Sequence, residues 1–221
     1  MNVRINLKFY ILLTLFFSAF SSPVTAQQRV DVGMFALKDT TNWQKKQFVG
    51  DTDYQVLQHE GQWVLSADSH KSASAYYREI EIDLRKTPYL NWSWKKLNTI
   101  MPGNEAEKSG DDFVARVYVI KDGGILFWKT LAINYVWSFQ HKKDEGWNNP
   151  FAGSHARMYS VRDSSDDENQ WFSEKRNVAA DFKTFFQKDI QSIDGVAIMT
   201  DSDNSGLTAQ ALYGDIFFSA D

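Results

Sequence analysis

Apolar and polar residues alternate with a period of two along most of this chain. The pattern is clearest in 125–137, where Leu131, Ile133, Tyr135 and Trp137 fall on one face of an extended chain and smaller or polar residues fall on the other. That period is typical of a β-strand with one buried face. The same pattern predicts strands at 63–67, 74–83, 89–94, 112–120, 125–137, 156–161, 171–177, 195–200 and 210–219.

A helical period occurs in one short segment. Asn177 is of a residue type that caps helices, and Val178, Phe182 and Phe185 follow it at spacings of four and three. Eight to ten short strands with turn residues between them, and a single short helix, favour an all-β fold, an antiparallel β-sandwich of the jelly-roll kind, over alternating βαβ units. Residues 27–221 contain no internal repeat and no long linker, which predicts a single β-sandwich domain.

Residues 1–26 have a different pattern. Arg4 and Lys8 precede an apolar run at 9–20, and the segment 24–26 (VTA) has the small-x-small form of a cleavage site. These features predict a secretory signal peptide. An uncleaved anchor is the alternative, although the run is shorter than the roughly 20 residues of a membrane-spanning helix. No later run of the sequence approaches that length, so we expect no transmembrane span in the mature chain.

Composition narrows the range of partners. The chain has 24 basic and 28 acidic side chains, and loss of Arg4 and Lys8 with the signal peptide changes its net charge from −4 to −6. This balance argues against nucleic acid as a partner, because phosphate binding needs a basic face. The chain has no cysteine, which excludes disulfides, thiolate metal sites, a cysteine nucleophile and a lipoprotein anchor. An exported chain without disulfides fits a bacterial periplasm, and we expect a periplasmic location.

The first candidate site lies at the start of a predicted strand. Asp111 and Asp112 precede Arg116, which falls on a face that also carries apolar residues. A buried guanidinium needs acidic partners, so Arg116 either forms a structural salt bridge or binds a ligand. Together with Asp201 and Asp203, the two carboxylates are also the residue type that glycoside hydrolysis requires.

The second candidate site is the loop after the strand at 195–200. Asp201, Asp203 and Asn204, followed by Gly206, bring together the oxygen ligands that calcium prefers. The twelfth position of an EF-hand loop would be Leu212 rather than glutamate, so this is no EF-hand. The loop is either a site for structural calcium or a turn in which Asp and Asn side chains bind their own backbone.

Aromatic residues form the third candidate. They make up 15% of the chain, with eight tryptophans, and Trp94 and Trp137 belong to a belt of rings on two predicted strands. Alternation explains such rings as core. The other interpretation is a platform on which a sugar stacks, which would make Trp94 and Trp137 ligand-binding residues.

No catalytic signature settles whether the chain is an enzyme. The motifs of zinc proteases, serine hydrolases, phosphate loops and dinucleotide sites are missing from the sequence. Ser93 and Lys96 have the spacing of an S-x-x-K motif, but in a strand they would point to opposite faces. The four histidines show no ligand spacing.

Several strings of the sequence carry a family resemblance. In order, they are LNWSWK at 90–95, GDDFVARVYV at 110–119, NYVW at 134–137, WFSEKRNV at 171–178, MTDSDN at 199–204 and YGDI at 213–216. The chain resembles the uncharacterised bacterial family called domain of unknown function 3047 over about Phe35 to Phe218. Its last strand, 211–218, is more weakly similar to that of galactose-binding-like sandwiches, a resemblance that implies carbohydrate binding and structural calcium.

Three functions follow as hypotheses. The leading one is a non-catalytic periplasmic module that binds a saccharide or another envelope polymer, with Asp111, Asp112, Arg116, Trp94 and Trp137 as its ligand-binding residues. The alternatives are a hydrolase acting on envelope carbohydrate through paired carboxylates, and a structural subunit of an envelope complex.

Overall fold

The computed structural model describes residues 28–125 and 129–221. The predicted signal peptide, 1–26, lies outside the described residues. Those described form fourteen strands in two seven-stranded sheets, one α-helix and two short 3-10 helices at 35–37 and 108–110. The predicted all-β sandwich with one short helix is confirmed.

The two sheets draw their strands from all along the chain. Sheet I has the order β1-β14-β6-β13-β4-β3, with β11 also paired to β6, and consists of β1 (Arg29–Gly33), β3 (Asp53–His59), β4 (Gln62–His70), β6 (Tyr89–Lys96), β11 (Phe172–Asn177), β13 (Thr208–Tyr213) and β14 (Ile216–Ser219). Sheet II has the order β2-β5-β12-β7-β8-β10-β9 and consists of β2 (Trp43–Val49), β5 (Ala73–Asp83), β12 (Ser192–Met199), β7 (Arg116–Lys121), β8 (Leu131–Trp137), β10 (Gly153–Arg162) and β9 (Gly146–Asn149).

One strand pair departs from the antiparallel expectation. β8 and β10 run parallel, with Ala132 opposite Ala156 and Val136 opposite Ser160. The segment that joins them folds back through β9, which pairs antiparallel with β10. Every other pairing in the described part of the chain is antiparallel, so sheet II is mixed only at this point.

The core lies between the sheets and is built from alternate residues of each strand. Sheet II contributes residues such as Val117 of β7, Ile133 of β8 and Ile198 of β12, all of them fully buried. Leu90 and Trp94 of β6 face them from sheet I. Because successive side chains of a strand point to opposite faces, the intervening residues of sheet II lie on its outer face. That outer face carries the candidate site.

The predicted helix is confirmed as α1 (Val178–Phe186). The Asn177 side chain accepts a hydrogen bond from the N–H of Ala180 at 3.0 Å, which satisfies one of the free donors of the first turn. Val178 and Phe182 are fully buried against the sandwich. Within 28–125 and 129–221, no helix combines the length and the apolar character that crossing a membrane requires.

Candidate functional site

A groove runs over the outer face of sheet II. It consists of two adjoining depressions of about 470 and 580 Å³ that share Phe48, Tyr118 and Ile120, and we call them together the outer groove. Its first depression, the polar end, is lined on its charged side by Asp111, Arg116, Asp201, Asp203 and Asn204.

Small side chains make the floor of the outer groove. Ala73 of β5, Ala132 of β8 and Ala156 of β10 line the polar end. Ala75 of β5 and Ala197 of β12 line the second depression. Residues of this size leave the backbone of sheet II close to the surface, so a ligand can approach the centre of the sheet.

Strand pairing brings the two predicted polar segments together. β12 and β7 are antiparallel neighbours with Met199 opposite Arg116, so the end of β12 lies beside the start of β7. Asp201 follows Met199 by two residues and therefore reaches the segment that precedes β7. The N–H of Phe113 donates to Asp201 Oδ1 at 3.1 Å, and the N–H of Asp201 donates to the Phe113 carbonyl at 3.2 Å.

These bonds also explain where β7 begins. The sequence predicts a strand from residue 112, but the strand starts at Arg116. Phe113 uses its backbone groups on Asp201, and the Val114 carbonyl accepts a hydrogen bond from Thr200 Oγ1 at 2.9 Å. Hydrogen bonds to the 200–204 loop replace the strand-to-strand hydrogen bonds at these two residues.

Arg116 is the charged centre of the polar end. It is 2% exposed, and its Nη2 donates to Asp201 Oδ2 at 2.7 Å and to the Asp111 carbonyl at 3.0 Å. Its Nη1 lies 3.6 Å from Asp111 Oδ2. The guanidinium stacks over the Phe113 ring at 4.6 Å. The predicted burial of Arg116 with acidic partners is therefore observed, and the same side chain lines the groove.

Asp112 holds the 201–206 loop in place. Its carboxylate accepts hydrogen bonds from the N–H of Asn204 at 3.2 Å and from the N–H of Ser205 at 2.6 Å. On the other side of Asp112, a Cβ on Gly110 would lie 2.3 Å from the Asn104 carbonyl oxygen, so this close approach of two backbones requires glycine. Asp112 thus joins the segment before β7 to the 201–206 loop.

Burial shifts the acid–base properties of the cluster. Burial raises the pKa of Asp111 above its ordinary value of 3.8, with Arg116 opposing the shift. Burial likewise raises the pKa of Asp203, and the nearby carboxylate of Asp112 adds to that shift. Burial also raises the pKa of Asp201, against the charge of Arg116. Four carboxylates around one guanidinium leave the polar end electronegative.

A family model described as a protein of unknown function (DUF3047) matches residues 41–217. The chain belongs to the DUF3047 family. The match spans the strands and loops that build the outer groove, and it confirms the family resemblance of the sequence strings. No curated protein sequence matches the chain.

Solved structures similar to this DUF3047 chain have low identity to it. One is the glycoside hydrolase domain of Endo-D from Streptococcus pneumoniae, with 9% identity and a TM-score of 0.43 over 81% of this chain and 22% of that one. A second is the enzymatically active domain of tailspike protein 4 from Bacteriophage CBA120, with 8% identity and a TM-score of 0.44 over 86% of this chain and 21% of that one. The chain thus spans about a fifth of either protein.

A third similar structure is the xyloglucanase domain of NopAA, a type three effector from Sinorhizobium fredii, in complex with cellobiose. It has 12% identity and a TM-score of 0.45 over 82% of this chain and 95% of that one. At such identities and TM-scores, none of the three likenesses carries an argument about the function of the DUF3047 chain.

The predicted calcium ligands are only partly brought together. One carboxylate oxygen from each of Asp112, Asp201 and Asp203 lies within 4.8 Å of the others. Asn204 instead donates its Nδ2 to Asp112 and Asp203 at 3.1 and 3.2 Å, so it serves as a donor rather than a ligand. Both oxygens of Asp112 and Asp201 already accept hydrogen bonds, and Arg116 supplies a positive charge. The cluster is therefore a turn whose carboxylates are held by hydrogen bonds and by Arg116.

The predicted sugar platform of Trp94 and Trp137 is wrong. The two side chains are 0% and 2% exposed, and their rings pack 5.7 Å apart in the core between the sheets. Stacking on a sugar requires an exposed ring face, which neither offers. Exposed rings lie elsewhere: Phe48 of β2 and Phe151 in the β9–β10 turn are 56% and 59% exposed and line the polar end.

Proposed function

We propose that this chain is an exported, non-catalytic module that binds a saccharide of the bacterial envelope in the outer groove. The observation that carries the proposal is the pairing, in one groove, of exposed phenyl rings with buried charged groups. Phe48 and Phe151 line the same depression as Asp111 and Arg116. Ligand sites combine an apolar lining with a few converging polar groups, and aromatic faces suit the apolar faces of sugar rings.

The position of the two rings supports a ligand that lies across the strands. β2 and β9 are the two edge strands of sheet II, and Phe48 and Phe151 come from β2 and from the turn after β9. The outer groove then continues over β5, β12 and β7 through its second depression. A groove that crosses a whole sheet fits several linked sugar units better than one.

Affinity electrophoresis in native gels containing mannan, dextran, polygalacturonate or alginate tests the proposal. We expect retention of the parent chain by at least one polymer. Phe48→Ala and Phe151→Ala should each weaken retention about tenfold, which corresponds to about 1.4 kcal/mol. Both rings are more than half exposed, so the melting temperature should not change. Leu37→Ala is the matched control, because Leu37 is 72% exposed and lies outside the groove.

A hydrolase is the second candidate, and a specific observation favours it. Asp111 and Asp203 line the groove with pKa values raised by burial, as the general acid of glycoside hydrolysis requires. We expect binding without cleavage, measured as no release of reducing ends from the retained polymer. Release that Asp203→Asn abolishes while the melting temperature is kept would favour the hydrolase instead.

A further inference from the structure

Two buried polar atoms at the polar end have no hydrogen-bond partner among the described residues. They are Asp111 Oδ1, an acceptor, and Arg116 Nε, a donor. Asp111 is 5% exposed and Arg116 is 2% exposed, and both side chains line the outer groove. A buried polar atom without a partner costs free energy, so atoms of this kind are typical of places where a ligand supplies the missing bond.

The two atoms belong to side chains that are otherwise held in position. Arg116 Nη2 is bonded to Asp201 and to the Asp111 backbone, and Asp201 is in turn bonded by the Phe113 N–H. Asp111 Oδ2 faces Arg116 Nη1 at 3.6 Å. Because the other atoms are fixed, Oδ1 and Nε are one unpaired acceptor and one unpaired donor in two side chains that line the groove.

We infer that Asp111 and Arg116 recognise a pair of adjacent hydroxyl groups on a neutral saccharide. One hydroxyl donates to Asp111 Oδ1, and the other accepts from Arg116 Nε. A hydroxyl both donates and accepts, so a vicinal diol supplies the two missing bonds at once. This assignment rests on the proposed function and adds the chemical class of the saccharide to it.

The charge of the polar end selects against acidic saccharides. Asp111, Asp112, Asp201 and Asp203 surround the one guanidinium of Arg116. A ligand carboxylate or sulfate near Arg116 would meet these like charges and be repelled by them. A neutral hydroxyl pair carries no such penalty. Neutral polymers are therefore expected to bind, and uronic acid polymers are not.

The test uses the parent chain in the four native gels, with two treated polymers added. Periodate followed by borohydride cleaves vicinal diols of mannan and dextran while leaving the remainder of each polymer neutral. We expect retention by mannan or dextran, at least a tenfold weakening of retention after that treatment, and no retention by polygalacturonate or alginate. Asp111→Asn should weaken retention of the untreated polymer to a similar extent. Asp167 is exposed, and Asp167→Asn should leave retention unchanged.

The outcomes separate the two proposals. No retention in any gel overturns the proposed function, and the diol assignment with it. Retention that survives periodate treatment, or equal retention by acidic and neutral polymers, overturns the diol assignment and leaves saccharide binding standing. Full retention by a folded Asp111→Asn chain also overturns it. The periodate comparison needs no variant, so retention that survives it overturns the diol assignment even if Asp111→Asn fails to fold.

Discussion

Replacing Arg116 with methionine would test the account of the polar end most directly. Methionine keeps an apolar side chain of similar length against the Phe113 ring but removes the guanidinium from Asp201. The side chain of Asp201 is 2% exposed and would retain the Phe113 N–H at 3.1 Å as its donor. Removing one partner of a buried ion pair costs about 3–5 kcal/mol.

The variant can avoid a buried charge by protonating Asp201. Relative to the unfolded chain, where aspartate has a pKa of about 3.9, this costs about 4 kcal/mol at pH 7, at about 1.36 kcal/mol per pH unit. Burial already raises the pKa of Asp201 in the parent chain, so the loss relative to the parent is at most this amount. For a chain of this size, about 4 kcal/mol corresponds to a melting temperature lower by about 8–16 °C. Thermal unfolding followed by circular dichroism measures this shift.

The pH dependence has a definite sign. Arg116 opposes the rise that burial causes in the pKa of Asp201, so the pKa of Asp201 in the folded variant lies further above its unfolded value than in the parent. Stability relative to the parent chain is then recovered as the pH falls and lost as it rises. The deficit should therefore shrink between pH 7 and pH 5.

The double variant Arg116→Met, Asp201→Asn is the control. It lacks both members of the Arg116–Asp201 pair and should be less destabilised than Arg116→Met alone, so the two substitutions are not additive. A melting temperature of Arg116→Met within about 2 °C of the parent, or a deficit that grows toward pH 5, would refute the reasoning.

Three further predictions concern the core, the acidic cluster and the groove. Trp94→Ala should lower the free energy of unfolding by about 3–5 kcal/mol, because the ring is fully buried. Below the unfolding transition it should leave saccharide retention unchanged. A folded variant without retention would instead show that Trp94 is a ligand-binding residue. Millimolar calcium should leave the melting temperature unchanged, because the carboxylates of Asp112 and Asp201 already accept hydrogen bonds. A melting temperature that rises with calcium would instead show that the folded chain binds the ion. Saccharide retention should fall on acidification with a midpoint above pH 3.8, because burial raises the pKa of Asp111. Protonation of Asp111 removes the charge that holds Arg116. Retention undiminished at pH 3.8 would contradict the role of Asp111.

Alternation predicted the strands that have one buried face and one outer face. β8 is the clearest case, since Ile133, Tyr135 and Trp137 are buried in the core as their spacing indicates. Four strands were not predicted, namely β1, β2, β3 and β9. Two of them show why. β2 and β3 are edge strands whose side chains are mostly exposed or half-buried, so no apolar face marks them in the sequence.

The acidic partners of Arg116 were predicted from residue type, because a mid-strand arginine on an apolar face requires acidic groups beside it. The sequence could not show that Asp201 rather than Asp112 bonds Arg116, since this depends on the register that sets Met199 opposite Arg116. Trp94 and Trp137 were predicted as ligand-binding rings, but they lie in the core. Phe48 and Phe151 meet at the groove from opposite edges of sheet II, and they are 103 positions apart in the sequence, so no local signal joins them.

The alanines that line the outer groove also offer a spectroscopic handle. The chain has no cysteine, so a cysteine at Ala152, which lines the polar end and is exposed, would be its single thiol. A fluorophore attached there would report on changes in the water around the groove without a background from other labelled sites. Occupancy could then be followed by emission intensity in free solution, even for a ligand too weakly bound to survive a gel.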